Sequence, residues 1–315
     1  MNNDTKNYDL EIIAGPCSIT PENAEEVISK TAKITTPDDK RAIYGTRVVG
    51  LKSRTGLDLT GEGMGIDSQV MQEAFKLSPT EQQNLIVPSI ELAEKIAKQT
   101  GLLIATEVMI PHLQLPYWEA KKVLQENVMI WNPAVEQLGW NLFEMSAFAQ
   151  KNNWSIGIKH GKFLGKDPLE IANHPDYQGE TSLEKVLLGL TTYVQNIQGD
   201  LVLIHRGVDV PGRGDSRNAI THEIMKRIKP RVPGAKLYFD PTHTIGPLLR
   251  HQIVAEAIAA MHIQTEDGYL YDGLLMEAAS SSPVDIKEHL TLDELQQLVN
   301  ELSTFRKLRS PKEPI

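Results

Sequence analysis

Cysteine occurs once in this chain of 315 residues, at Cys17. It follows the apolar run Leu10-Glu11-Ile12-Ile13 and a break at Gly15-Pro16. A thiol just past a strand end is well placed to bind a metal ion, because the strand end is rigid and the loop beyond it is open. Three later segments offer companions of the same kind: Asp240-Pro241-Thr242-His243, Met276-Glu277, and Asp285. Cys17, His243, Glu277 and Asp285 together mix soft and hard donors, which suits a divalent ion such as Mn²⁺, Fe²⁺, Zn²⁺ or Co²⁺. Cations recur at parallel positions: Arg47, Lys52, Arg54, Lys159 and Arg206. Such a ring binds phosphates and carboxylates, with arginine gripping through a bidentate fork. A metal ion beside a phosphate-binding ring points to Lewis-acid activation of a carbonyl in a phosphorylated substrate.

Each residue alone also has a plainer reading. A free cysteine often packs as a small hydrophobe, and a lone histidine after a strand is more often hydrogen-bonded structure than a ligand. Lysines are usually solvated. Asp240 before Pro241 is a turn former, and Asp285 could cap the last helical region. The weight lies in their joint occurrence at equivalent positions, which needs a scaffold that brings them together.

That scaffold is legible as an alternation. Short apolar stretches at 10–13, 42–51, 102–106, 128–131, 155–158, 201–204, 236–239 and 271–276 read as strands. Helix-like stretches at 21–34, 88–99, 116–125, 142–151, 182–197, 219–228, 249–261 and 292–302 follow them, with Thr20, Thr181 or Ser182, and Thr291 as caps and Gly101 as a stop. Eight doubly buried strands separated by helices predict an α/β protein, a (β/α)8 TIM barrel with its chemistry at the C-terminal strand ends. The competing open sheet would show G-x-G-x-x-G between its first strand and helix. Here Gly61, Gly63 and Gly65 have the wrong spacing and follow the second strand. In a barrel, the strand ends present in turn Cys17; Arg47 with Lys52-Ser53-Arg54-Thr55; Glu107; Asn132-Pro133-Ala134; Lys159; Arg206; Asp240 with His243; and Glu277 with Asp285. Long loops at 52–85 and 159–180 are expected to be functional.

Bulk properties narrow the class. A net charge of −9, from 32 Lys+Arg against 41 Asp+Glu, argues against a nucleic-acid or membrane-surface protein. One cysteine allows no intrachain disulfide, and no apolar run suits a secretory signal or a bilayer span, so the cytoplasm is the expected location. No linker divides the chain, so 1–315 is expected to be one barrel domain with a short N-terminal extension. Trp118, Trp131, Trp140 and Trp154 read as core or interface residues. The segment 208–218, with Arg213, Asp215 and Arg217, reads either as a surface loop or as part of a second phosphate site.

Taken in order, Ala14-Gly15-Pro16-Cys17-Ser18, Arg47 before Lys52-Ser53-Arg54-Thr55, Ile156-Gly157-Ile158-Lys159, Arg206-Gly207, Asp240-Pro241-Thr242-His243 and Leu275-Met276-Glu277 form a pattern. It resembles the class I 3-deoxy-7-phosphoheptulonate (DAHP) synthases and their relatives, the 3-deoxy-octulosonate 8-phosphate synthases. The resemblance implies a metal-dependent condensation of phosphoenolpyruvate with a phosphorylated aldose, with release of phosphate. With erythrose 4-phosphate, that is the first step of the shikimate route to aromatic amino acids. It further implies Cys17, His243, Glu277 and Asp285 as metal ligands and Lys52, Lys159 and His243 as catalytic side chains. Arg47, Lys52, Lys159 and Arg206 would grip phosphoenolpyruvate, Arg54 and Thr55 the aldose phosphate, and Glu107 would line the substrate site. A homotetramer or homodimer is implied as well.

The chain departs from the family at named points. Asn132-Pro133-Ala134-Val135 replaces a Gly-Ala-Arg common in the heptulosonate enzymes and looks more like the octulosonate branch. Ser53 stands where those enzymes have Pro, no His closely follows Glu277, and the span to Asp285 is short. Erythrose 4-phosphate is the leading aldose, with arabinose 5-phosphate and a catalytically inert barrel as the alternatives.

Overall fold

The computed structural model describes residues 9–50, 76, 78–133, 139–280 and 286–314. Lys52, Ser53, Arg54, Thr55, the glycines at 61, 63 and 65, Ala134, Val135 and Asp285 lie outside the described residues. Eight parallel strands close into a barrel. They are β1 (Glu11–Gly15), β2 (Gly45–Arg47), β3 (Leu103–Glu107), β4 (Val128–Trp131), β5 (Ser155–Lys159), β6 (Leu201–His205), β7 (Lys236–Phe239) and β10 (Gly273–Glu277). β8 (Gln264–Thr265) and β9 (Gly268–Tyr269) form a small separate hairpin. Each stave pairs with its sequence neighbour, and β1 closes on β10 with Gly15 opposite Glu277. The predicted (β/α)8 class is the observed one. Among the described residues, no helix is long and apolar enough to cross a membrane.

Alternation along the strands sorts the core into two shells. Ile13, Leu103, Ala105, Met129, Trp131, Val202, Ile204, Tyr238 and Leu275 fill the barrel interior. Ile12, Ile104, Ile130, Ile156, Leu203, Leu237 and Leu274 face the surrounding helices. Gly157 makes room in the interior, since a Cβ there would lie 2.8 Å from Ile204 and 3.1 Å from Trp131. The same period carries Arg47, Glu107, Lys159 and Glu277, each the last residue of its strand, onto the inward face at the C-terminal end.

Most helices start where their caps predict. Thr20 with Asn23, Thr181 with Glu184, and Thr291 with Glu294 each form a capping box. The helix expected over 88–99 instead runs Pro79–Thr100. Its true start is the Ser78-Pro79-Thr80-Glu81 capping box, and Pro88 lies inside the helix, so the loop after β2 ends earlier than expected. Gly101 ends it in the left-handed region (φ 68°), and a Cβ there would also strike the Lys312 carbonyl. The helix after β5 stops at Thr191 rather than 197, and the helix expected over 116–125 is Pro111–Glu119 followed by a 3₁₀ turn. Trp118, Trp131 and Trp154 are buried, whereas Trp140 is 70% exposed beside Phe143.

Candidate active site

The C-terminal end of the barrel gathers charge into one buried mesh. Arg47 Nη1 lies 2.7 Å from Glu277 Oε1, and both side chains are almost wholly buried. Lys159 Nζ lies 2.7 Å from Asp240 Oδ2. His243 bridges the two pairs: its Nδ1 is 2.9 Å from Asp240 Oδ2, and its Nε2 is 3.5 Å from Glu277 Oε1. The run Lys159–Asp240–His243–Glu277–Arg47 is therefore continuous.

Local sequence explains why Asp240 sits at its centre. Asp240 caps the five-residue helix Pro241–Ile245: its Oδ1 accepts from the His243 main-chain N–H at 3.1 Å and from Thr242 Oγ1 at 3.0 Å. Thr242 Oγ1 in turn accepts from the Glu277 N–H at 3.3 Å, tying β10 to the same turn. Asn218 Nδ2 donates to the His243 carbonyl at 2.5 Å. The sequence offers Asp240 both as a strand-end functional residue beside His243 and, more plainly, as a turn former. It forms the turn, and it also organises the site.

Burial and neighbouring charge set the protonation states. Burial opposes the Arg47 charge, but Glu277, with Cys17, Asp240 and Glu107 behind it, holds the guanidinium above its usual range. Burial likewise works against ionising Asp240, and His243 and Lys159 outweigh it, so the carboxyl sits well below the usual carboxylate range. Lys159 is pushed down by burial and, against the pull of Asp240, by Arg206 and Arg47. Arg206 is lowered by burial and by Arg217. Burial drives His243 well below the ordinary histidine range, so its ring is neutral near pH 7.

These states bear on a metal ion. A neutral His243 with its Nδ1 proton on Asp240 presents an Nε2 lone pair to Glu277 Oε1, so two acceptors face each other 3.5 Å apart. A divalent ion with donor bonds of about 2.0–2.2 Å accepts a histidine and a carboxylate at that spacing, and the Asp240 contact is the outer-sphere partner such a histidine needs. The β1–β10 register and the Ala278 N–H bond to the Gly15 carbonyl set the start of the loop that carries Cys17 beside the end of β10. Among the described residues, no three His, Cys, Asp or Glu side chains close into a metal-binding group. The donor chemistry of His243 and Glu277 suits a divalent ion, and Cys17 stands close enough to this end for its charge to act on Arg47. Asp285, the fourth expected ligand, lies outside the described residues.

Glu107 and Arg206 join the same end, since the Glu107 charge acts on Arg47, Lys159 and Arg206. Of the expected cations, Arg47, Lys159 and Arg206 are therefore brought together, while Lys52, Arg54 and Thr55 lie outside the described residues. In the segment 208–218, Arg213 pairs with Asp209 at 2.8 Å and Arg217 with Glu288 at 2.7 Å, so each of these arginines already has a carboxylate. Sequence reasoning passed over His289, whose Nε2 accepts from the Cys17 N–H at 2.9 Å. No spacing rule could have joined two residues 272 positions apart.

Fold and site together define a parallel (β/α)8 barrel with a buried ring of paired charges at its C-terminal face. No protein-family model matches the sequence, and no curated protein matches it significantly. Among solved structures, the chain is similar to the phospho-2-dehydro-3-deoxyheptonate aldolase (DAHP synthase) of Thermotoga maritima, with a TM-score of 0.62 and 18% identity over 96% of this chain and 71% of that one. At that identity the likeness shows the fold.

Proposed function

We propose that this barrel condenses phosphoenolpyruvate with a phosphorylated aldose, foremost erythrose 4-phosphate, and releases inorganic phosphate. The observation that carries the proposal is the buried run Lys159–Asp240–His243–Glu277–Arg47, which sets a metal-type donor pair between two buried cations. The likeness to a DAHP synthase barrel supports it, as does the ordered set of motifs.

Arg47, Lys159 and Arg206, with Lys52, grip the carboxylate and phosphate of phosphoenolpyruvate. Arg54 and Thr55 hold the aldose phosphate, and Glu107 lines the site. Cys17, His243, Glu277 and Asp285 would hold a divalent ion, Mn²⁺, Fe²⁺, Zn²⁺ or Co²⁺, which supplies Lewis-acid polarisation of the aldehyde. C3 of phosphoenolpyruvate bonds to the aldehyde carbon, water adds at C2, and the C2–O bond breaks to release phosphate. Lys159 Nζ, made a readier acid by burial and by Arg206 and Arg47, holds the proton that the new hydroxyl needs. Asp240 keeps that amine beside the reacting oxygen. Fixed cations in a dry site stabilise the developing anions without having to reorganise. The chain works as one catalytic domain in a homo-oligomer.

The test supplies phosphoenolpyruvate with erythrose 4-phosphate or arabinose 5-phosphate, with Mn²⁺ or EDTA, and measures phosphate release. Release with erythrose 4-phosphate that EDTA abolishes is the expected result. No release with either aldose and any of the four ions would overturn the proposal. Asn132-Pro133 at the end of β4, where no cation stands, keeps arabinose 5-phosphate as the second reading.

A further inference from the structure

We propose that His289 is a positioning residue for Cys17 and, through it, for the divalent ion; the inference rests on the ion assignment above. The Cys17 main-chain N–H donates to His289 Nε2 at 2.9 Å in a buried bond. Pro16 has no N–H, so the Cys17 N–H is the first main-chain donor after β1 ends. Leaving it unpaired in the interior would cost about 1–3 kcal/mol. An Nε2 that accepts carries a lone pair, so the proton of the neutral ring sits on Nδ1.

His289 is itself held firmly. Its carbonyl accepts from Arg250 Nε at 3.0 Å, and Arg250 forks onto Glu294 at 2.8 and 2.5 Å. Glu288, just before it, takes Arg217 at 2.8 and 2.7 Å. Leu290, just after it, donates its N–H to the Glu277 carbonyl at 3.0 Å. One short segment therefore grips the main chain of two of the assigned ligands, Cys17 and Glu277, and fixes their separation. A carboxylate at 289 could accept the same bond, but it would set a second negative charge beside the thiolate. A neutral imidazole accepts without that repulsion.

The test uses Co²⁺ as the probe, because a thiolate bound to it gives a charge-transfer band in the near ultraviolet. Co²⁺ affinity and that band are compared in the wild type, His289→Ala and His289→Gln, with circular dichroism confirming the fold. His289→Ala should weaken Co²⁺ binding by roughly 10–100-fold, the usual range for outer-sphere partners, and should diminish or shift the band. His289→Gln, whose amide oxygen can accept the Cys17 N–H, should restore both to within about 3-fold of wild type, an effect that general loss of stability would not produce. A folded His289→Ala with wild-type affinity and an unchanged band overturns the inference. Should the alanine variant fail to fold, the ¹⁵N-histidine spectrum of the wild-type protein decides: Nδ1–H with a bare Nε2 supports it, and a proton on Nε2 overturns it. A wild type that shows no thiolate band overturns the ion assignment as well. Substrate turnover enters none of these readouts, so a wrong aldose leaves them untouched.

Discussion

The two ends of the barrel both bury charge, and they bury it differently. At the N-terminal end, Lys236 Nζ meets Glu11 Oε1 at 2.7 Å and Asp200 Oδ2 at 2.8 Å. Tyr238 and Arg309 also donate to Glu11, and the chain end crosses this face, with Leu308 bridging to Leu10. At the C-terminal end, Thr46 Oγ1, Arg47 Nε, Trp131 Nε1, Asn132 Oδ1 and Arg206 Nε are buried without a protein hydrogen-bond partner among the described residues. No atom of Glu11, Lys236 or Tyr238 shares that condition. Each such atom costs about 1–3 kcal/mol, a burden that folded proteins tolerate where a ligand will meet it. One end satisfies itself and stabilises the barrel. The other keeps buried polar atoms without a protein partner among the described residues and is the end where the proposed chemistry would take place.

Variants that hit one end should therefore leave the other's property intact. The largest effect is expected from Lys236→Met, which removes the buried ammonium shared by Glu11 and Asp200. It should lower unfolding free energy by about 3–5 kcal/mol, read by urea denaturation, with kcat/KM of the folded protein within a few-fold of wild type. Lys159→Ala should reverse that pattern, with kcat/KM for phosphate release falling about 10²–10³-fold and a smaller change in Tm. Asp240→Asn removes the carboxylate shared by Lys159 and His243. It should weaken Mn²⁺ affinity by roughly 10–100-fold, measured by chelator competition.

The smallest effect sharpens the comparison through pH. Burial, followed by Glu11, raises the Tyr238 phenol well above its ordinary value and raises Tyr44 as well. Above about pH 10 the unfolded chain loses protons that the folded chain keeps, so stability falls as pH rises past that point. Tyr238→Phe should move the alkaline unfolding midpoint upward while the pH profile of turnover stays put. An unchanged midpoint would remove Tyr238 from the account of that end.

Much of this division was legible in the sequence. The apolar runs gave the staves, with Glu107, Lys159 and Glu277 just past three of them and Arg47 inside the run at 42–51, whose observed strand stops at Arg47; strand alternation fixes which of these side chains point inward. The start of the helix Pro79–Thr100 was missed because Pro88 looks like a first helical residue, and the Ser78–Glu81 box upstream was passed over. Asp240 was placed at the end of its strand with His243, and Asp-Pro also gave it a local reading as a turn former, but its bond to Lys159 is made only when the barrel closes and was not legible. His289 was missed for the same reason, since its partner Cys17 lies at the opposite end of the chain.

The most direct test of the division between the two ends is phosphate release from phosphoenolpyruvate and erythrose 4-phosphate, measured with Mn²⁺ on Lys159→Ala and Lys236→Met side by side at a temperature where both are folded. Turnover lost in the first and kept in the second is the predicted result. Turnover kept in Lys159→Ala, or lost equally in both, would contradict it.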